Sequence, residues 1–263
     1  MGPSDPLAAD VIRIDDVTWT YPHADGASLR NLDLRIAPGE FVVVCGASGS
    51  GKSTALRLMN GLIPQFHEEG VLDGRVTVGG MDTTAAELDE IGLVTGTVLQ
   101  HPRRQFFTDS VAAELAFAME NFGFDRERMR VRVAGELAAP AAGVPTGQRL
   151  PDLSGGQQQQ VAIAAATAHE PRVLLLDEPS SNLSADAVDR LVQTLATLKS
   201  RGVTIVVAEH RLRYLQDLVD RVFVMRAGAI DLEWDADGFR AVPDEVLARE
   251  GLRGRIRAAA LPA

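Results

Sequence analysis

The sequence is poor in cysteine, in basic residues and in long apolar runs, and each shortage excludes a class of protein. Its single cysteine, Cys45, cannot form an internal disulfide, which favours a reducing cytosol, as does the lack of a charged-then-apolar leader at residue 1. The formal net charge of −10 opposes nucleic-acid binding. No apolar run approaches the roughly 20 residues of a membrane-spanning helix. Any role at a membrane is therefore expected to be played from outside the bilayer.

The 263 residues are enough for one large α/β domain or two small ones, and they contain a glycine-rich turn between a predicted strand and a predicted helix. Residues 40–45 are typical of a strand buried in a parallel sheet, with Cys45 interpreted as a small buried hydrophobe. A helix is predicted to begin near Lys52, so that backbone N–H groups face a phosphate; an ordinary tight turn is the alternative. Lys52 is predicted to reach the β- and γ-phosphates and Ser53 to bind Mg²⁺. The predicted phosphate-binding residues are Gly46, Ala47, Ser48, Gly49, Ser50, Gly51, Lys52, Ser53 and Thr54.

Two adjacent carboxylates follow a second predicted buried strand. Residues 173–176 are apolar, and Asp177 and Glu178 come directly after them, at the sheet edge that also carries the glycine-rich turn. Asp177 is predicted to hold Mg²⁺ through water, and Glu178 to orient and polarise the water that attacks the γ-phosphate. A solvated strand terminus is the alternative interpretation of this pair.

A second anion-binding helix end is predicted at LSGGQ, residues 153–157. Ser154, Gly155, Gly156 and Gln157 would supply a hydroxyl and backbone amides at the start of a helix. One γ-phosphate does not need two such sites from the same subunit. We therefore expect this segment to close on the nucleotide bound by another copy.

These three segments make the sequence resemble the ATP-binding cassette (ABC) family. GASGSGKS, LSGGQ and VLLLDEP occur in the family's order and approximate spacing, and the resemblance runs from about residue 11 to about residue 230. It implies an α/β fold, the ABC-type P-loop NTPase, with a RecA-like core, an antiparallel β subdomain and an inserted α-helical subdomain. Two such domains sandwich two ATP molecules head to tail. The implied divisions are a tail (1–10), an ATP-binding domain (11–235, with the helical insertion at about 100–152) and a C-terminal extension (236–263).

The resemblance implies roles for three further residues. Tyr21 matches the aromatic residue that stacks on adenine, although strand packing is the alternative and fits Trp19 better. His210, after a third predicted buried strand, matches the histidine that contacts the γ-phosphate. Gln100 matches the glutamine that touches Mg²⁺ and the attacking water. The predicted catalytic residues are thus Lys52, Gln100, Glu178 and His210, and the predicted metal ligands are Ser53, Gln100 and Asp177.

Within the family, the strings QHPRRQFF, ELAFAMEN and NGLIPQF are similar to energy-coupling-factor (ECF) ATPases of vitamin and metal-ion importers. That likeness implies a second ABC ATPase, as a homodimer or a paralogue heterodimer, under a transmembrane scaffold at the cytoplasmic face of the membrane, with a separate membrane subunit that captures the substrate. One alternative is a soluble ABC ATPase that assembles a cytosolic complex, such as an iron–sulfur scaffold. Another is a non-catalytic regulatory half, which Glu178 and His210 argue against.

Two adjacent phenylalanines, Phe106 and Phe107, precede a predicted amphipathic helix that Asp109 or Ser110 would cap, with residues 111, 115 and 122 on its apolar stripe. Because they lie on a connecting loop, they are interpreted as lining a groove for a coupling helix of the membrane partner. Burial in the core is the alternative.

Three features depart from the family or lie beyond its motifs. Ser184 stands where aspartate is usual, but it could still cap the next helix. Gln160 stands where a basic residue is common, and both changes bear on the coupling between the two ATP sites. The segment from residue 247 to the end places arginines 249, 253 and 257 four apart. It is interpreted as a solvated tail, with attraction to a membrane surface as the alternative.

Overall fold

Two β-sheets organise the computed structural model, which describes residues 10–67, 69–138, 148–249 and 252. The first is antiparallel and consists of β1 (Ile12–Thr20), β2 (Leu29–Ile36), β4 (Val71–Val78) and β5 (Met81–Asp82), in the order β2-β1-β4-β5. The second has six strands, namely β3 (Phe41–Cys45), β6 (Thr95–Val98), β7 (Val173–Asp177), β8 (Thr204–Ala208), β9 (Arg221–Arg226) and β10 (Ala229–Asp235). Their order is β10-β9-β3-β8-β7-β6, and all are parallel except β10.

The six-stranded sheet is buried on both faces because its central strands are continuous apolar runs. Every residue of β3 and of β8 is buried, as expected for a parallel sheet covered on two sides. Alternate side chains enter different cores: Val42 and Val44 face the antiparallel sheet, whereas Val43 and Cys45 face the opposite layer. Cys45 is fully buried, which confirms its interpretation as a core residue.

Nine helices are described within these residue ranges, and they cover the sheet and form a separate lobe. The lobe contains α4 (Val111–Asn121) and α5 (Arg126–Ala138). Helix α4 packs on α6 (Gly155–Thr167) through a small apolar cluster that includes Val111, Leu115 and Val161. The other helices are α1 (Lys52–Met59), α2 (Leu62–Gln65), α3 (Leu88–Val94), α6 (Gly155–Thr167), α7 (Ala185–Ser200), α8 (Ala236–Ala241) and α9 (Asp244–Arg249). None of the described helices is both long and apolar enough to cross a bilayer.

Helix starts follow the predicted caps in part. Ser110, not Asp109, caps α4, since its hydroxyl accepts a hydrogen bond from the backbone N–H of Ala113. Ser184 occupies the position before α7, but its side chain makes no capping hydrogen bond. That start therefore has neither the aspartate of the family nor a serine cap in its place.

The C-terminal segment corrects a prediction. Leu247 and Leu252 are buried in the same core as Phe239 of α8, so the segment that begins at residue 247 is not simply a solvated tail. Burying these leucines removes apolar surface from water and fixes α8 and α9 against the sheet. The predicted N-terminal tail up to residue 9, the Pro/Gly stretch at 139–147 and the arginines at 253 and 257 lie outside the described residues.

Candidate active site

Four parallel strands deliver the predicted site residues to one edge of the large sheet. The glycine-rich turn follows β3, Gln100 follows β6, Asp177 and Glu178 end β7, and His210 follows β8. The carboxyl ends of parallel strands lie at the same edge, where ligands of open α/β sheets bind. The structure therefore brings these residues together, although they come from four separate parts of the chain.

The turn between β3 and α1 has the backbone of an anion site. Gly46 has a φ of +146°, and a Cβ atom there would lie 2.3 Å from the carbonyl oxygen of Met225, so only glycine fits. Gly51, with a φ of +105°, precedes α1 and gives it no side-chain cap. The first-turn N–H groups of α1 thus have no acceptor from a cap and point towards the turn.

The side chain of Lys52 holds the glycine-rich turn closed. Its side chain is buried, and Nζ donates hydrogen bonds of 2.9 Å to the carbonyl oxygens of both Gly46 and Ala47. An ammonium held inside the ring of the turn is a fixed positive charge beside the open N–H groups. The arrangement is suited to a polyphosphate.

Asp177 lies beside the start of α1. Burial raises the pKa of its carboxyl group, and the neighbouring Glu178 raises it further, while a hydrogen bond with Ser53 and the charges of Arg57 and Lys52 act in the opposite direction. The donors available here are a carboxylate and a hydroxyl, which are the hard oxygen ligands that Mg²⁺ prefers. No group of three or more metal-binding side chains occurs among the described residues. The residues fit a Mg²⁺ ion that takes its other ligands from phosphate and water.

Glu178 is held between two of the other predicted catalytic residues. Nε2 of Gln100 donates a 2.8 Å hydrogen bond to one carboxylate oxygen of Glu178, and Nδ1 of His210 lies 3.7 Å from the other. Its φ of +46° is unusual for a residue with a side chain and places the carboxylate in a left-handed turn directly after β7. A water molecule near this carboxylate would be polarised by a base that two neighbours orient.

Tyr21 lies next to α1, just beyond the end of β1. Its hydroxyl accepts a 3.1 Å hydrogen bond from Arg57 and lies 3.4 Å from the hydroxyl of Thr54. Its half-buried ring meets Trp19 and His67 edge-on, with centroids 5.5 Å and 5.0 Å away. Trp19 is fully buried, which confirms strand packing for that residue. The stacking role of Tyr21 stays a prediction, with its ring placed beside the phosphate-binding helix.

The LSGGQ segment forms the start of α6, as predicted. Ser154 and Gln157 make a reciprocal capping box: the Ser154 hydroxyl accepts from the Gln157 N–H at 3.3 Å, and the Gln157 Oε1 accepts from the Ser154 N–H at 2.9 Å. Among the described residues, no hydrogen bond joins this segment to the glycine-rich turn of its own chain.

Comparisons with known proteins agree with this geometry. An ABC transporter ATP-binding protein of Treponema denticola is 36% identical over 244 residues, which cover 93% of this chain and 50% of that protein. The ABC transporter family model matches residues 29–181. The chain belongs to the ABC transporter ATPase family. A relative from Pyrococcus horikoshii is 37% identical over 225 residues, which cover 85% of this chain and 79% of that protein. This chain spans only about half of the length of the Treponema protein.

Solved structures confirm the predicted fold class. One similar structure is that of cbiO1 from Clostridium perfringens, described as part of the ABC transporter complex cbiONQ. It matches with a TM-score of 0.77 at 27% identity, and the match covers 92% of this chain and 94% of the cbiO1 chain. A dimeric ATP-binding cassette with ADP and phosphate bound matches with a TM-score of 0.73 at 27% identity, over 86% and 98% of the two chains. The chain has the fold of ATP-binding cassette ATPases.

Glu209 is a site residue that the sequence reasoning missed. It is fully buried, and its carboxylate accepts hydrogen bonds from the Ser180 hydroxyl at 2.7 Å, the Tyr214 hydroxyl at 3.0 Å and the His210 backbone N–H at 2.9 Å. Nδ1 of His210 lies 3.3 Å from it. Glu209 thus fixes the position of His210. The signal was present, because it too is a carboxylate directly after a buried strand.

The two adjacent phenylalanines are placed differently, since only Phe107 lines a groove next to the loop of Gln100. Phe106 packs against two apolar clusters, so the prediction that it lines a groove is wrong. Phe107 is 74% exposed, stacks on Phe117 with ring centroids 4.6 Å apart, and lines a cavity of about 400 Å³. Successive residues of this loop point in opposite directions, so one reaches the core and the other reaches solvent.

Two side chains hold that loop in place. The buried carboxylate of Glu114 in α4 accepts hydrogen bonds from the backbone N–H of Phe107 at 3.1 Å, and from the N–H and hydroxyl of Thr108 at 3.0 Å each. The side-chain amide of Gln105 bonds the Leu99 N–H at 2.9 Å and the Thr97 carbonyl at 2.8 Å. The exposed ring of Phe107 therefore stands on a fixed loop next to the segment that carries Gln100.

Proposed function

We propose that this chain is the ATP-hydrolysing subunit of an ECF-type importer and that it powers the uptake of a vitamin or metal-ion micronutrient. The observation that carries the proposal is the exposed aromatic ring of Phe107, which lines a groove next to the loop of Gln100 on a backbone that Glu114 holds in place. Gln100 in turn contacts Glu178. A partner seated in this groove would thus adjoin the residues that sense the nucleotide.

In the proposed mechanism, the turn between β3 and α1 binds the phosphates of ATP. Lys52 and the open N–H groups of α1 neutralise the β- and γ-phosphates, and Tyr21 stacks on adenine. Ser53, Asp177 and Gln100 would hold Mg²⁺, which neutralises developing charge on the phosphates when it is bound. Glu178 accepts a proton from the attacking water, Gln100 orients that carboxylate, and His210 contacts the γ-phosphate.

Two cassettes would complete each site. Among the described residues, no hydrogen bond joins the segment 154–157 (Ser154, Gly155, Gly156 and Gln157) to the glycine-rich turn of its own chain, which favours contact with ATP on a second cassette, either another copy or a paralogue. The dimeric structure of a similar cassette supports this arrangement. The Treponema relative supports it as well, because it is about twice the length of the matching stretch and has room for a second cassette.

The membrane partners follow from the likeness to ECF ATPases. A transmembrane scaffold would insert a short helix into the groove lined by Phe107, and a separate membrane subunit would capture the micronutrient. The likeness to cbiO1, described as part of an ABC transporter complex, supports this type of assembly. The chain would then act as a peripheral protein at the cytoplasmic face of the membrane.

A matched pair of substitutions tests the docking proposal. Phe107→Ser removes an exposed ring, so we expect an unchanged melting temperature, intact ATP binding, and loss of co-purification with the membrane complex from detergent extracts of its own cells. Phe106→Ser removes partly buried apolar contacts, so we expect it to lower the melting temperature.

Normal co-purification of a stable Phe107→Ser variant would contradict the docking proposal. Recovery of the unsubstituted chain only with non-membrane proteins would favour the alternative, an ATPase that assembles a cytosolic complex. Neither result would affect the assignment of the residues that bind and hydrolyse ATP.

A further inference from the structure

A cavity of about 580 Å³ lies at the opposite edge of the large sheet from the predicted ATP site. Its lining includes Arg172, just before β7, and Val203 and Thr204, at the start of β8. The walls come from α5, α6 and α7. Its volume is within the range of roughly 300–1,000 Å³ that is usual for small-molecule sites. ATP bound at the carboxyl ends of the strands would not reach it.

The charges that line this cavity do not cancel. Arg132 forms ion pairs with Glu136 at 3.6 Å and with Glu170 at 3.2 Å, and these two are the lining carboxylates among the described residues. The side chains of Arg172 and Arg201 make no hydrogen bond or ion pair with any described residue. Two guanidinium groups are therefore left without a carboxylate, next to the starts of the neighbouring strands β7 and β8.

A buried amide adds a neutral donor to the same cavity. Gln160 is 4% exposed and lines the cavity, and its Oε1 accepts a 2.9 Å hydrogen bond from the hydroxyl of Thr194. Its Nε2 donates to none of the residues that the structure describes. A ligand oxygen in the cavity could accept a hydrogen bond from this amide. Ile163 and Leu198 contribute apolar surface to the lining.

We propose that this cavity binds a small organic molecule that carries a phosphate or a carboxylate group. Guanidinium groups favour such oxyanions because their N–H donors match two oxygens at once. The oxyanion would lie between Arg172 and Arg201, and the apolar part of the molecule would lie against Ile163 and Leu198. The site is independent of the predicted ATP site and of the groove lined by Phe107, since it shares no lining residue with that groove.

The test uses phenyl phosphate as the probe and the full chain saturated with a non-hydrolysable ATP analogue, so that the glycine-rich turn is already filled. Titration is followed by calorimetry and by NMR shifts of the Gln160 side-chain amide. We expect saturable one-to-one binding that shifts the Gln160 signal. The double variant Arg172→Ala/Arg201→Ala should bind about tenfold more weakly, since it removes both charge-assisted contacts. Both arginines are exposed, so this variant should stay folded.

The matched control is Arg104→Ala/Arg126→Ala, which removes the same charge from two exposed arginines outside the cavity lining. We expect it to bind phenyl phosphate as tightly as the unsubstituted chain. Equal weakening in both double variants would mean that only net charge attracts the probe, and it would overturn the proposal. Absence of saturable binding, or binding that leaves the Gln160 signal in place, would overturn it too.

Discussion

The two helix ends that are predicted to meet phosphate, the starts of α1 and α6, are built in opposite ways. Before α1 stands Gly51 in a left-handed conformation, with no side-chain cap, and Lys52 is bonded to the carbonyl groups of the turn. Before α6, Ser154 and Gln157 cap each other's N–H groups. The N–H groups of α1 thus need an acceptor from outside, whereas those of α6 are partly satisfied by their own chain.

This difference indicates that the two helix ends have different roles in ATP binding and turnover. The start of α1 is an open anion site within one chain, and it adjoins Asp177, which contacts Ser53. The start of α6 gains less from a phosphate because part of its hydrogen bonding is already made. Affinity for ATP is therefore expected to reside mainly at α1, and α6 is expected to affect turnover after a second cassette has joined.

The largest effect is expected at the α1 end from Glu178→Gln. The amide keeps the shape of the carboxylate and the contact with Gln100 but cannot accept the proton of the attacking water. Turnover should fall by roughly 10²–10⁴-fold, as for loss of a general base, while ATP binding is retained. Phosphate release and equilibrium nucleotide binding measure the two quantities. Near-normal turnover would remove Glu178 from this role.

A smaller effect, on binding itself, is expected from Lys52→Ala. It deletes the positive charge inside the glycine-rich turn, and a hydrogen bond to a charged group contributes about 1.5–3 kcal/mol, so ATP affinity should fall by roughly 10–150-fold. Lys199→Ala is the control, because that lysine pairs with Asp220 at the far end of α7. Unchanged affinity in Lys52→Ala would show that the turn is not the phosphate site.

Substitutions at two neighbouring glycines test the start of α6 separately. A Cβ atom at Gly155 would meet nothing within 4 Å, whereas one at Gly156 would lie 2.7 Å from the Cβ of Ala187. Gly155→Ala should therefore leave folding and ATP affinity intact but lower turnover by about tenfold, because its methyl group would intrude on the phosphate that a second cassette is predicted to bind. Gly156→Ala should lower the free energy of unfolding by roughly 1–3 kcal/mol through overpacking.

Denaturation and turnover assays distinguish these two variants. Full turnover in Gly155→Ala would indicate that the start of α6 does not approach a nucleotide. Unchanged stability in Gly156→Ala would indicate that Ala187 is not its neighbour.

The smallest effect concerns His169, which lies just beyond the end of α6. Burial lowers its pKa, although its Nε2 donates a hydrogen bond to the carbonyl group of Gly92. The unfolded chain therefore takes up a proton at a higher pH than the folded chain, and stability is lost as the pH falls below about 6.5. His169→Gln should lose less stability than the unsubstituted chain between pH 7.5 and pH 5.5 in urea titrations. Identical losses would contradict this assignment.

Local patterns predicted the parts of the site that depend on neighbouring residues. Glycine spacing and apolar runs were sufficient for the turn after β3, for the carboxylates after β7 and for the start of α6. Contacts between segments that are distant in sequence could not be predicted from such local patterns. The opposite orientations of Phe106 and Phe107 depend on how α4 packs on α6, and burial of Leu247 depends on the position of α8. Gln160 stood out as a departure, but the cavity beside it exists only in the folded chain.

The most direct test of the predicted shared site is to mix two variants that each impair ATP hydrolysis for a different reason. In a mixed dimer of Lys52→Ala and Gly155→Ala chains, one site combines two defective ends and the other combines two intact ends. We therefore predict that the mixture hydrolyses ATP faster than the sum of its two components. Mixing Lys52→Ala with Glu178→Gln should give no such increase, because both changes affect the α1 side. ATP hydrolysis by the first mixture no greater than the sum of its components would contradict the claim that one ATP is held between the α1 end of one copy and the α6 end of another.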